Sequence, residues 1–92
     1  MPFAVMFHVT LPQGTPEEDQ KMLDELVVPA AKAQAGFVRG VWMRKTADTS
    51  YGVGVVVFDS EQQAKAASEA LRPPPGGPEL NSVDIFEVGA LA

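Results

Sequence analysis

Val53-Gly54-Val55-Val56-Val57-Phe58 is apolar at both parities. Successive side chains of a strand point to opposite faces, so this run has no side suited to water. An antiparallel sheet with one wet face is built from strands that alternate apolar and polar residues instead. Residues 3–11 make a similar demand, with Phe3, Val5, Phe7 and Val9 on one parity and Ala4, Met6, His8 and Thr10 on the other. Whatever sheet these strands form needs a cover on each face.

The remaining segments set the order of elements. Strand 1 (3–11) is stopped by Pro12-Gln13-Gly14. Thr15-Pro16-Glu17-Glu18 is a helix start: Thr15 caps, Pro16 suits the first helical position, and Glu18 completes a capping box. The helix is expected to reach about residue 34. Leu23, Leu26, Val27, Ala30 and Ala31 form its apolar stripe. Pro29 falls inside that stripe and removes a backbone bond to Glu25, so the last turns should kink or loosen. Gly36 is a natural stop. Residues 37–45 read as strand 2, and the polar 46–50 segment turns the chain into an antiparallel strand 3 at 51–58. A second helix opens on Asp59-Ser60-Glu61-Gln62-Gln63 and presents Ala64, Ala67, Ala70 and Leu71. Residues 72–78 hold four prolines and two glycines and form an extended loop. Strand 4 is expected at 82–90. The fold class is therefore α+β with order βαββαβ, and residues 1–92 read as one domain.

Bulk properties exclude several functions. With no cysteine, neither a disulfide framework nor a thiolate metal site stabilises the chain. A single histidine and scattered acids offer no convergent metal ligands. No metal and no cofactor is expected. The net charge of −5 opposes the grip on phosphates that nucleic-acid binding needs. No apolar run approaches the roughly 20 residues of a membrane helix, so no membrane partner is expected. The N-terminal segment has neither the basic nor the long apolar region of a signal peptide, which makes a cytoplasmic location the expectation.

Two helices cover only one face of a four-stranded sheet. The other would be a large apolar patch, which soluble monomers rarely expose. The economical solution is a homodimer through sheet-to-sheet packing. Burying several hundred square ångströms per partner, at about 25 cal/mol per Å², gives a gross ~10 kcal/mol before association costs.

Three segments carry a family resemblance. They are Ala35-Gly36-Phe37-Val38-Arg39-Gly40-Val41-Trp42 after a long helix, Val55-Val56-Val57-Phe58-Asp59-Ser60-Glu61 before an Ala-rich helix, and Ser82-Val83-Asp84-Ile85-Phe86-Glu87-Val88. In these and in element order the chain resembles the dimeric α/β-barrel superfamily, which includes antibiotic-biosynthesis-monooxygenase-like and stress-responsive barrel proteins. The resemblance implies a ferredoxin-like protomer with four antiparallel strands and two helices on one face, paired sheet to sheet into a barrel. It also implies a ligand held between sheet and helices, and cofactor-independent oxygenation of an apolar or aromatic metabolite. The family's oxygenases lean on an Asn in strand 1 and a Trp after strand 3, and the haem-degrading branch on a His in helix 2. Here strand 1 has His8, strand 3 ends in Phe58-Asp59, and helix 2 has no histidine.

The same element order belongs to the RNA-recognition motif, and Tyr51-Gly52-Val53-Gly54-Val55-Val56-Val57-Phe58 resembles its strand-3 signature. That signature begins with Lys or Arg and stacks bases on aromatics at its third and fifth positions. Val53 and Val55 stand there instead.

His8 is the candidate catalytic residue, as the only side chain with an ordinary pKa near neutrality. The plainer role is a hydrogen-bonded histidine at the dimer interface. Trp42 and Tyr51 are candidate ligand contacts, the first as a stacking wall and the second as a donor; core packing and a rim position are the plainer roles. Arg39 and Arg44 are candidate clamps for a carboxylate, set against a solvated edge or ion pairs with Asp84 or Glu87. These readings converge on a small-molecule-binding or monooxygenase-like homodimer, with a non-catalytic structural or regulatory dimer as the alternative.

Overall fold

The computed structural model describes Met1–Ala92. Strands β1 (Phe3–Thr10), β2 (Phe37–Arg44), β3 (Tyr51–Phe58) and β4 (Glu79–Glu87) form one antiparallel sheet of order β2-β3-β1-β4. The first helix has three parts: α1 (Pro16–Met22), a π-helical segment (Leu23–Val27) and α2 (Val28–Lys32). The second helix is α3 (Glu61–Ala70). This is the expected α+β, ferredoxin-like architecture.

Helix starts follow the expected chemistry. Glu18 N–H donates to Thr15 Oγ1 at 3.1 Å, and the Glu18 carboxylate accepts from Thr15 N–H at 3.4 Å. Ser60 Oγ accepts from Gln63 N–H at 3.2 Å and caps α3. The expected kink at Pro29 takes a specific form. A proline ring crowds the carbonyl four residues back, here that of Glu25. The helix widens into the π segment just before it, and Val28 N–H donates to Leu23 O, five residues away.

Strand β4 corrects the expected 82–90 boundaries, running from Glu79 to Glu87. The reason is a bulge at Asn81. Ser82 pairs with His8 and Leu80 with Val9, leaving Asn81 as the extra residue, with Nδ2 donating to Thr10 Oγ1 at 3.0 Å. The bulge returns Leu80 to the same face as Val83, so the strand extends into the proline-rich loop.

The sheet parities sort cleanly. Val5, Phe7, Val56 and Phe58 face the helices and form the core with Ala31, Ala64 and Ala67. Ala64 and Ala67 are fully buried, so α3 lies close on the sheet. Gly36, at φ +81°, ends the first helix. A Cβ there would also sit 1.9 Å from Gln63 Oε1, so another residue would be strained at this φ and would displace the Gln63 side chain. The opposite parity carries Val41, Met43, Tyr51 and Phe86, which are 36–50% exposed, together with the half-buried Met6, Val53 and Val55. The sequence left open which parity faces the helices; it is that of Phe3, Val5 and Phe7.

This packing makes Ala67→Leu a sensitive probe. Its extra methylenes have no space beneath α3, and a loss of about 2 kcal/mol is expected. Urea unfolding should show a lower midpoint at unchanged slope. An unaltered midpoint would mean that α3 is not seated on the sheet.

Candidate functional site

The first helix does not seat as α3 does. Neither α1 nor the π segment contributes a buried residue, and Leu26 is 55% exposed although it belongs to the apolar stripe. Only Ala31 of the stripe joins the core; Leu23, Leu26 and Val27 line a cavity of about 570 Å³. Phe7, Trp42 and Val56 rise from the sheet, Leu23, Leu26 and Val27 come from the π segment, and Leu71, Pro73 and Pro74 close the side next to β4. The volume is that of a site for a small organic ligand.

Trp42 forms part of the floor, and two glycines set its attitude. Trp42 pairs with Gly54 on β3 and lies two residues beyond Gly40 on β2. A Cβ on Gly54 would lie 3.0 Å from the pyrrole edge at Cδ1, and a Cβ on Gly40 would lie 2.7 Å from the benzo edge at Cη2. One indole thus spans both glycines and lies down on the sheet. A strand glycine often marks such a close approach. The ring's other face is left toward the cavity, as a flat surface on which a planar molecule stacks.

Charged groups sit at the rim. Arg44 Nη2 forms an ion pair with Asp19 Oδ2, tying β2 to α1 across one side of the opening. The two side chains are 35% and 18% exposed. Arg72 lines the cavity from the loop after α3. The pairing of strand-2 arginines with Asp84 or Glu87 is corrected. Strands β2 and β4 lie at opposite edges of the sheet, so Arg44 meets Asp19 instead, and Arg39 donates to the Ala92 carbonyl at 2.9 Å.

His8 and Tyr51 lie on the other face, away from the cavity. The Tyr51 hydroxyl is 2.6 Å from His8 Nδ1, the length of an O–H donating to a ring nitrogen. In the neutral ring this leaves Nε2 as the N–H, and it lies 3.8 Å from Asp84 Oδ2. Lys45 Nζ stands 5.7 Å from the centre of the Tyr51 ring. At the β2–β3 turn, Asp48 Oδ1 accepts from both the hydroxyl and the N–H of Ser50, which holds its carboxyl below the ordinary value.

The five sequence candidates therefore separate. Trp42 and Arg44 share the cavity; His8, Tyr51 and Arg39 lie on the open face. Sequence reasoning missed Gly40, Gly54, Asp19 and Arg72. The strand glycines are a readable signal, whereas Asp19 is already accounted for as an acid in the first turn of α1 and Arg72 as part of a loop.

Searches against family models and against curated proteins returned no match. Solved structures do match. SnoaB, a cofactor-independent oxygenase from Streptomyces nogalater, superposes with TM-score 0.69 at 15% identity, covering 98% of this chain and 95% of SnoaB. A protein assigned to the antibiotic biosynthesis monooxygenases, from Chloroflexus aurantiacus J-10-fl, gives 0.69 at 16% identity, with 100% and 98% covered. Rv0793 from Mycobacterium tuberculosis gives 0.59 at 15%, with 100% and 99% covered. The chain has their fold. The ferredoxin-like fold expected from the sequence is thereby shown over the matched length.

Trp42 is the only tryptophan, so its fluorescence reports on this cavity alone. Gly40→Ala forces the benzo edge off the sheet and should change both the emission maximum and the near-UV circular dichroism. Spectra identical to those of the parent protein would show that the ring does not lie on Gly40.

Proposed function

We propose that this protein binds an apolar, aromatic metabolite in the cavity between its sheet and first helix, as a homodimer. The observation that carries the reading is the 570 Å³ apolar cavity floored by a flat indole. The SnoaB likeness supports a finer proposal, that the bound molecule is oxygenated without a separate cofactor. Trp42 is then a ligand-stacking surface and Arg44 a rim residue.

The homodimer reading rests on the open sheet face. Val41, Met43 and Phe86 are each about half exposed there, and a second copy is the occupant with the same apolar pattern to offer. A standard interface takes roughly 800 Å² from each partner, which one face of a small sheet can supply. Within such a pair His8, Tyr51 and Asp84 lie between the sheets. His8 is then an acid–base or anchoring group of the interface, not of the protomer cavity.

That separation favours a second reading, a ligand-binding or regulatory dimer without catalysis, because no histidine reaches the cavity. The two readings differ in oxygen uptake. With a panel of electron-rich polycyclic phenols, the first expects consumption of dissolved oxygen in step with loss of the phenol, and the second expects binding alone. The panel should quench Trp42 emission under either reading, and absence of quenching by every member would end both.

Sedimentation equilibrium tests the assembly. The parent protein is expected at about twice the 9.8 kDa chain mass. Val41→Glu with Phe86→Glu should halve it, since like charges without partners in a buried apolar patch each cost several kcal/mol. A parent protein that sediments as a single chain at all concentrations would overturn the sheet-to-sheet dimer.

A further inference from the structure

Two of the chain's three arginines, Arg44 and Arg72, line one cavity in a protein of net charge −5. Their situations differ. Arg44 is held by the Asp19 carboxylate, which also faces the cavity. The cavity's other acidic and basic lining residue is Arg72, which forms no ion pair within the protein. The rim thus carries one uncompensated positive charge above an apolar interior.

The loop restricts the backbone that carries that charge. A residue before proline is restricted to extended backbone, and Pro73, Pro74 and Pro75 follow Arg72 directly. Pro73 and Pro74 themselves line the cavity, and Gly77 N–H donates to Pro74 O at 2.9 Å to close the turn. A stiff segment of this kind loses little entropy when a ligand orders it. The proline run therefore fixes the backbone at the edge of the cavity, from which the exposed Arg72 side chain extends.

We infer that the ligand of this cavity is a planar apolar molecule bearing one anionic group, a carboxylate or its like. Its ring system lies on Trp42 and its anion meets Arg72 at the rim. The inference rests on the cavity reading given above and adds the ligand's charge to it. Guanidinium is suited to carboxylate through paired N–H donors. The Arg44–Asp19 pair is the wall beside this contact and not a second anion site, because the Asp19 carboxylate already offsets the Arg44 charge.

The test uses two flat probes of nearly equal shape, 2-naphthoate and its methyl ester, titrated against Trp42 emission. Naphthoate should bind about fivefold more tightly than the ester at low ionic strength, the modest gain of a partly solvated charge pair. The advantage should shrink as salt rises. Arg72→Gln should remove the difference while leaving ester affinity unchanged, and its thermal unfolding should match the parent's. If the ester binds as well as the acid, or the acid keeps its advantage in Arg72→Gln, the inference falls while the cavity reading stands. If neither probe quenches Trp42, both fall.

Discussion

Strand β3 lies between β2 and β1 and carries apolar side chains on both faces, so neither side of the sheet can be left to water. Everything else is arranged around that demand. One parity packs under the helices through Val56 and Phe58. The other offers Val53 and Val55, flanked by Val41 and Met43 of β2 and by Met6 of β1. A sheet of this composition divides its apolar side chains between an inside made by its own chain and a face that stands open. The candidate residues fall on either side of that division, which is why His8 and Trp42, both on strands, do not meet.

The helix layer treats its own half of the sheet unevenly. Alanines bring α3 into contact, while the first helix approaches the sheet closely only at its end, around Ala31. The gap left by that tilt is the cavity. Packing of native density would fill it, and its roughly 570 Å³ is far larger than the voids a small core normally tolerates. The apolar lining gains nothing for stability while it faces water, so the core of this chain does not account for it.

The sequence made the fold legible because several levels agreed: the capping box at Thr15, the cap at Ser60, the stop at Gly36 and two-sided strands separated by polar turns. It misplaced β4 because a bulge at Asn81 breaks the period-two pattern and lets Leu80 rejoin the core face. The site was less legible for a related reason. Parity says that two residues share a face but not which face the helices take, so His8, Trp42 and Tyr51 looked like one group. The Arg44–Asp19 pair joins residues 25 apart across two elements, and no local pattern announces it. Gly40 and Gly54 were visible, but their meaning depended on where one indole came to rest.

The π-helical segment stores one residue. A π turn holds roughly 4.4 residues where an α turn holds about 3.6, so the five residues Leu23–Val27 turn the chain about as far as four would in α form. Removing Asp24 or Glu25 would let the helix close into ordinary α form with little rotation of α1, and Asp19 would still face Arg44. A deletion within α1 has no such wide turn to absorb it and would turn the residues before it by about 100°. The π segment is therefore the place where the first helix can lose a residue and keep its side of the cavity.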